Sequence, residues 1–215
     1  YSQALWSAMV EMGFTGILLP EEFGGTGFGH VGMGQIGEQV GRNLSASPLF
    51  ATAVLGAPAI DLAGNEQQKQ DLLPRIAAGE LLTALAVDER ARHTPDWVET
   101  QAERRNEGFV LNGEKRYVVD GHIADKLIVS ARTAGSASER DGITLLIVDA
   151  DADGVEIERT IMVDSRNAAV VRLSGVRVDA GAVLGEVDNG YPLLERLLDI
   201  GNAHIAAELL GIAQE

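Results

Sequence analysis

The stretch "FVLNGEKRYVVDG", from Phe109 to Gly121, predicts the local fold in the middle of the chain. Runs rich in Val and aromatic residues stand on both sides of Asn112-Gly113. Asn-Gly is the dipeptide that best tolerates two successive positive φ values, as a type I′ turn requires. The stretch therefore predicts a tight β-hairpin that turns at Asn112-Gly113. Tyr117, in the middle of the return strand, would lie against a core, a partner or a flat cofactor.

The spacing of apolar residues changes twice along the chain. Up to about Gly79 they recur at helical spacing in four runs, and from Leu81 they form short strand-like runs separated by turn residues. After "GEVDNG" (Gly185 to Gly190) the helical spacing returns. The predicted fold class is α+β: an N-terminal helical bundle domain (1–80), an antiparallel β-barrel or sandwich middle domain (81–188), and the first helix (189–215) of a missing C-terminal helical domain.

Composition and charge exclude several classes of protein. Acidic residues outnumber basic ones 32 to 17, and the net charge of −15 repels phosphate backbones and anionic membranes, so we expect no nucleic-acid and no membrane partner. The sequence contains no Cys, no run of about 18 apolar residues and no basic N-terminal signal region. We expect a cytoplasmic protein. Because the chain begins without Met and ends inside a helical pattern, we also expect it to be a piece of a longer one.

The segment "GFGHVG", Gly27 to Gly32, matches the GxGxxG pattern of dinucleotide-binding folds. Such a site needs a strand running into the glycines and an acidic residue about 20 positions later. Here Pro20-Glu21-Glu22 interrupts the approach, and no acidic residue occurs between Glu38 and Asp61. The segment is better interpreted as a glycine loop that leads into a close-packed helix.

Two segments resemble parts of metal sites. "DADADG", Asp149 to Gly154, imitates the start of a calcium loop, but the twelfth position is Thr160 rather than Glu, which favours an acidic turn. His204 and Glu208 stand four residues apart on the last helix, and without a third ligand they predict a solvated helix face. We therefore predict no metal site.

Five segments occur in one order along the chain and together resemble the acyl-CoA dehydrogenase family over essentially all 215 residues. They are "LLPEEFGGTG" (18–27), "EQQKQDLLPRIAAGELLTALAVDE" (66–89), "FVLNGEKRYVVDGHIADKLIVSART" (109–133), "GITLLIVDADADGVEI" (142–157) and "VRVDAGAVLGEVDNGY" (176–191). The longer run "SARTAGSASERDGITLLIVDADADGV" (130–155) is most similar to the family's small subunits, which pair with a larger homologous subunit.

The resemblance implies a fold, a cofactor and a reaction. Family members have a helical, a β-barrel and a second helical domain, and they hold FAD between the last two. They oxidise an acyl-CoA: an Asp or Glu base removes the α proton while flavin N5 accepts the β hydride. The partners implied are an acyl-CoA substrate and either further copies of the chain or a homologous larger subunit.

By the same resemblance, four residues correspond to flavin contacts: Asp88, Thr94, Tyr117 and Val119. Asp88 and Thr94 lie in "DERARHTPD" (88–96), where the family carries Thr and Ser. An ionised Asp88 would place an acceptor where a donor is wanted, although Arg90 and Arg92 could compensate the charge of a pyrophosphate. Tyr117 and Val119 correspond to the Trp and Thr of the family's Trp-Ile-Thr. Alternatively, Tyr117 packs between sheets.

The resemblance also marks a substrate contact and a position for the base. Asp199 would lie near the thioester or the pantetheine arm. The position at which some relatives carry the catalytic Glu is Gly201, beside Asn202, and Glu195-Arg196 lies six residues earlier. No catalytic residue is therefore predicted in this chain.

Two functions remain open from the sequence. The chain is either part of a flavoprotein subunit that performs the α,β-dehydrogenation or a non-catalytic structural subunit of a heteromeric complex. The small-subunit resemblance favours steroid side chains or dicarboxylates over plain fatty acids as the acyl group.

Overall fold

A computed structural model describes residues 1–163 and 166–214. Contacts divide the chain into two compact units. The helical unit comprises Tyr1–Leu82 together with Glu195–Glu215, and the sheet unit comprises Thr83–Leu194. The α+β class with a mostly antiparallel sheet is confirmed.

Besides two short 3-10 turns at Phe14–Gly16 and Glu21–Phe23, the first part of the helical unit contains four longer helical segments, as the apolar spacing predicts. They are α1 (Gln3–Glu11), α2 (Gly29–Arg42), a π-helical turn (Phe50–Gly56) that continues into α3 (Ala57–Ala63), and α4 (Glu66–Ala77). Asn65 begins α4 with a capping box, because its side chain accepts from the Gln68 N–H while the Gln68 side chain accepts from the Asn65 N–H. Trp6, Met9 and Val54 are buried in the core of this unit.

The last helix that the structure describes is α5 (Tyr191–Ala213), and from Glu195 onward it belongs to the helical unit. His204 and Glu208 are buried on this helix, so the prediction that they form a solvated face is wrong. Two glycines of α2 are the reason: a β-carbon at Gly37 would lie 2.9 Å from His204 Cε1, and one at Gly41 would lie 1.9 Å from the Glu208 carbonyl oxygen. Without side chains there, α2 and α5 pack in close contact.

Within the described residues, eight strands form the sheet unit. They are β1 (Thr83–Ala86), β2 (Gln101–Arg105), β3 (Gly108–Val119), β4 (Lys126–Arg132), β5 (Ile143–Asp149), β6 (Val155–Ile161), β7 (Asn167–Asp179) and β8 (Val183–Leu184). Their order is β6-β7-β3-β2-β4-β5-β8, with β1 paired to β4. The β1–β4 pairing is parallel, and so is the short contact of β2 with β4. Val155 of β6 and Val183 of β8 pack against one core, so the sheet curls around it.

The hairpin predicted at Asn112-Gly113 is wrong, because β3 runs through this dipeptide without turning. The tight turn lies earlier, at Asn106-Glu107, which connects the paired residues Arg105 and Gly108. Asn112 has a different role: its Oδ1 accepts from the Gly175 N–H (2.8 Å) where the register of β7 shifts. Gly113 is needed because a β-carbon there would lie 2.5 Å from Thr100 Oγ1.

The other two local motifs have the predicted structures. "GFGHVG" follows a 3-10 turn at Glu21–Phe23 rather than a strand, and its glycines lead into α2. "DADADG" forms the turn between β5 and β6. Among the side chains that the structure describes, no group of three or more His, Asp or Glu could hold a metal ion. In the same described ranges, every helix is too short or too polar to cross a bilayer.

Candidate functional site

The loop between β1 and β2 carries Asp88 and Thr94, and its side chains are bonded within the loop. The Asp88 carboxylate accepts from the Thr94 N–H (3.2 Å) and lies 2.9 Å from His93 Nδ1. The Thr94 hydroxyl donates to the Arg92 carbonyl (3.3 Å). The loop therefore directs a carboxylate toward a backbone N–H that could otherwise donate to an anion.

The two arginines of this loop, Arg90 and Arg92, differ in their contacts with neighbouring side chains. The Arg90 guanidinium stacks 3.7 Å from the centroid of the Trp97 ring, and one of its nitrogens lies 3.6 Å from Glu99 Oε1. Arg92 is exposed. Of the two cations that the sequence offers to a pyrophosphate, Arg92 is thus the better placed to contact one.

Tyr117 sits at a β-bulge on β3. The register jumps from the pair Lys115–Val171 to the pair Val118–Ala169, so two residues of β3 face one of β7. Tyr117 has a left-handed backbone conformation (φ 53°), and 41% of its surface is exposed. This exposure argues against the alternative prediction that Tyr117 packs between sheets.

A short hydrogen bond connects the bulge to the loop. The Arg116 N–H donates to the Asp88 carbonyl at 2.7 Å. The structure thus brings Asp88, Thr94 and the Tyr117 bulge into one region of the sheet unit. Val119 follows as a half-buried residue paired with Ala168. The roles of these four residues as flavin contacts remain predictions.

A buried ion pair lies beneath this region, and sequence reasoning missed it. Lys115 is fully buried, and its Nζ donates to Glu89 Oε1 (2.7 Å), Ser130 Oγ (2.9 Å) and the Val87 carbonyl (3.1 Å). Glu89 also accepts from the N–H groups of Glu99 (2.6 Å) and Thr100 (2.9 Å). All three protons of the ammonium group therefore have acceptors.

The pKa values of Lys115 and Glu89 are shifted by burial and by the charge that each residue exerts on the other. Burial lowers the pKa of Lys115 to about 8, although Glu89 opposes that shift. For Glu89, burial favours the neutral acid, but the Lys115 charge and hydrogen bonds from Lys115 and Thr100 prevail and lower its pKa. The strand alternation of "FVLNGEK" could have revealed Lys115, because it shares its parity with the buried Phe109 and Leu111. The predicted turn at Asn112-Gly113 placed Lys115 on a different strand from Phe109 and Leu111, so the alternation was not continued to Lys115.

Asp120 directly follows Val119 and has an unusual environment. Its backbone is left-handed (φ 56°), and its N–H donates to the Asn167 carbonyl at 3.1 Å. Burial raises the pKa of the Asp120 carboxyl to about 6, against the opposing charge of Arg166. Burial and the charge of Arg159 lower the pKa of the nearby His122. Neither residue was singled out from the sequence as a site residue.

The predicted substrate contact belongs to the other unit. Asp199 is exposed on α5, as are Glu195 and Arg196. Gly201 is buried, and a β-carbon there would lie 3.1 Å from Leu55 Cδ2. A larger side chain at 201 would displace that neighbour, so the described part of the helical unit does not favour a base at this position.

Comparison with known proteins identifies the family. The N-terminal domain of acyl-CoA dehydrogenases matches residues 1–80, and the middle domain of acyl-CoA dehydrogenases matches residues 88–175. The chain belongs to the acyl-CoA dehydrogenase family, as the resemblance of its sequence indicated.

Three relatives illustrate the match. The probable acyl-CoA dehydrogenase YngJ of Bacillus subtilis is 34% identical over 212 residues, covering 96% of this chain and 56% of the relative. The solved structure titled "Tcur3481-Tcur3483 steroid ACAD" is 28% identical with a TM-score of 0.87, covering 97% of this chain and 54% of that one. The ChsE4-ChsE5 complex from Mycobacterium tuberculosis is 26% identical with a TM-score of 0.82, over 92% and 51%. The chain spans about half the length of the curated relatives it matches.

Proposed function

We propose that this chain is part of a subunit of an FAD-dependent acyl-CoA dehydrogenase, which introduces a double bond between C2 and C3 of an acyl-CoA thioester. Both matched domains belong to that family. The observation that carries the proposal is the exposed Tyr117 ring, held on a strained bulge that is hydrogen-bonded through Arg116 to the Asp88 carbonyl.

The ring side of this region fits a flavin. A non-glycine residue in the left-handed conformation costs roughly 1–3 kcal/mol and is retained mainly at functional sites. Here that strain presents a flat aromatic ring at the surface of the sheet unit. An exposed aromatic face is suited to stack on a flat heterocycle.

The loop that carries Asp88 and Thr94 fits the pyrophosphate of FAD less directly. The Thr94 N–H already donates to the Asp88 carboxylate, and Asp88 adds negative charge where a pyrophosphate would bind. Binding would therefore depend on the exposed Arg92 and on the Thr94 hydroxyl, or on release of Thr94 by Asp88. This part of the loop is the weaker half of the proposed site.

The roles of the chain's own residues follow from this assignment. When bound, FAD supplies a hydride acceptor. Tyr117 would cover one face of the flat ring and exclude water from it, and Val119 would border the ring with an apolar side chain. Thr94 and Arg92 would orient the phosphates, and Asp199 would contact the thioester or the pantetheine arm. No base is assigned within the chain, so proton removal falls to another part of the subunit or to a partner.

The substrate and assembly are proposed in the same way. The substrate is an acyl-CoA, with steroid side chains or dicarboxylates favoured as the acyl group, and a structural relative is itself titled a steroid ACAD. The assembly is a cytoplasmic homo-oligomer or a complex with a homologous larger subunit, and one relative was solved as a two-protein complex. We keep the domain bounds 1–80, 81–188 and 189–215 as part of this proposal.

A second candidate function is that of a non-catalytic structural subunit that completes its partner's site. Two features favour it: the Asp88 carboxylate occupies the Thr94 N–H, and Val119 has no hydroxyl to donate to the flavin. In that case the chain would contribute walls and contacts while its partner binds the flavin and performs the oxidation.

The two functions are separated by measuring FAD in the full-length gene product, purified alone and co-purified with a homologous subunit. FAD released from the denatured protein is quantified against protein concentration. Stoichiometric FAD in the lone protein supports the flavoprotein, and FAD in the complex alone supports the structural subunit. Absence of FAD from both preparations contradicts both functions.

A pair of tyrosine variants tests the role of Tyr117. Tyr117→Ala should raise the Kd for FAD about tenfold, because it removes a stacking surface. Tyr1→Ala is the matched control, since Tyr1 has a similar exposed fraction (44%, against 41% for Tyr117) and lies in the helical unit. Equal Kd values for the two variants would remove Tyr117 from the site.

A further inference from the structure

The buried ion pair of Lys115 and Glu89 connects three segments of the sheet unit. The ammonium group binds the Val87 carbonyl at the end of β1, the Glu89 carboxylate in the following loop, and Ser130 in the middle of β4. Glu89 in turn fixes the far end of the loop through the N–H groups of Glu99 and Thr100. Both ends of the loop are therefore held to Lys115 or to its partner.

The same lysine stands where the bulge begins. Lys115 is the last residue of β3 in register before the bulge, and the next residue, Arg116, donates its N–H to the Asp88 carbonyl. Asp88 lies between the two loop residues that Lys115 contacts, Val87 and Glu89. The Tyr117 bulge and the Asp88 loop thus both lie beside residues that contact one buried charge.

A gain in stability does not explain this arrangement well. Removing two charges from water costs free energy that their attraction barely repays, and well-packed apolar residues often stabilise a protein as much as a buried ion pair. What an ion pair adds is a requirement for one geometry, since each of its polar atoms needs a partner at hydrogen-bond distance. This pair meets that requirement with five hydrogen bonds between 2.6 and 3.1 Å.

We propose that Lys115 is a positioning residue of the flavin site: through Glu89 it sets the loop that carries Asp88 and Thr94 against the bulge that carries Tyr117. The proposal rests on the proposed flavoprotein function. Lys115 is buried and contacts no cofactor itself. It acts by keeping the two halves of the site at a fixed separation.

The test uses the full-length protein, with its homologous subunit if flavin binding needs one. The principal variant is the double substitution Lys115→Met with Glu89→Leu, which removes both buried charges and leaves no unpaired one. Glu89→Gln is a milder second variant. The matched control is Lys126→Met, because Lys126 forms a more exposed ion pair with Asp149 in the same unit. Each protein is measured for its Kd for FAD, the induced circular dichroism of bound FAD, and its Tm without FAD.

A positioning role predicts that the double variant keeps a Tm near that of the wild type but binds FAD at least about tenfold more weakly, with an altered flavin dichroism. Hydrogen exchange gives a readout that needs no flavin: the Arg116 amide should exchange faster in the double variant and in Glu89→Gln, but not in Lys126→Met. If the double variant matches the wild type in Kd, dichroism and Arg116 exchange, the positioning role is overturned while the flavoprotein function stands. If the wild type binds no FAD in any preparation, both proposals fall.

Discussion

Gly41 of α2 lies so close to Glu208 of α5 that a β-carbon at residue 41 would stand 1.9 Å from the Glu208 carbonyl oxygen. That distance lies far inside contact distance, and the obstructing atom belongs to the backbone, which has little freedom to move. The contact explains why Glu208 is buried on a helix whose sequence alone suggested a solvated face.

Gly41→Ala should therefore destabilise the protein by about 3 kcal/mol or more, because the two helices must separate. Gly34→Ala on the same helix is the control: the nearest atom to its β-carbon would be Ala207 Cβ at 3.9 Å, and Ala is favoured over Gly within a helix by about 1 kcal/mol. Urea unfolding compares the two. A Gly41→Ala protein as stable as Gly34→Ala would show that the helices are not in such close contact.

The buried Lys115 should make stability depend on pH in the alkaline range. Its pKa is about 8 in the folded protein, below the ordinary value of 10.5, so between these values the unfolded chain binds more protons. Below pH 8 both states carry the charge, and above it the free energy of unfolding rises by about 1.4 kcal/mol per pH unit until the unfolded lysine also titrates. Urea unfolding at several pH values between 8 and 10.5 measures this slope, which the double variant Lys115→Met with Glu89→Leu should abolish without leaving an unpaired buried charge. The same slope in that variant would assign the effect to another group.

Asp120 should lower stability at neutral pH. Its pKa of about 6 in the folded protein exceeds the ordinary 3.8, so the folded state binds the proton more tightly than the unfolded chain does. Proton binding therefore adds to the free energy of unfolding at low pH, and this stabilisation is lost as the pH rises through 6. Asp120→Asn should then stabilise the protein at pH 7 by about 1–3 kcal/mol and change little below pH 4. Asp153→Asn, at an exposed turn position, removes the same charge and should have little effect at either pH. A destabilised Asp120→Asn protein would indicate that the ionised carboxylate has a partner.

The position of Asn112-Gly113 inside a continuous strand can be tested at three residues. Gly113→Ala should cost about 3 kcal/mol or more, since its β-carbon would meet Thr100 at 2.5–2.7 Å. Gly175→Ala should cost only about 1–2 kcal/mol, because its φ of 67° is strained for alanine but no atom lies within 4 Å. Asn112→Ala should cost about 1 kcal/mol for the lost hydrogen bond to Gly175. If Gly175→Ala proves more damaging than Gly113→Ala, the contact with Thr100 is not as close as described.

Much of the fold follows from local sequence patterns. The helical segments before residue 80, the helix after residue 190 and most of the strands are visible as apolar periodicity, because each element buries one face and its residues repeat with the period of that element. The short strand β8 has two residues and escaped the pattern for that reason.

The errors have a common cause in contacts between distant residues. Asn112-Gly113 satisfies the local requirements of a turn, yet Thr100 and Gly175 supply the neighbours that keep it within a strand. His204 and Glu208 have the local pattern of a surface pair, yet glycines about 170 residues earlier bury them. Local propensity is weak compared with the free energy of packing, so packing decides such positions.

The amino-acid sequence by itself therefore determined the class of the fold and the family, because periodicity and ordered motifs are properties of the chain, and it predicted the segments that we propose for a flavin site. Only the tertiary structure decided how those segments are arranged: that Tyr117 is exposed on a bulge, that the Asp88 carboxylate occupies the Thr94 N–H, and that Lys115 and Glu89 are buried as a pair. The reason is physical. A hydrogen bond or an ion pair depends on the distance between its two partners, and no local sequence pattern specifies that distance for residues that are far apart in the chain.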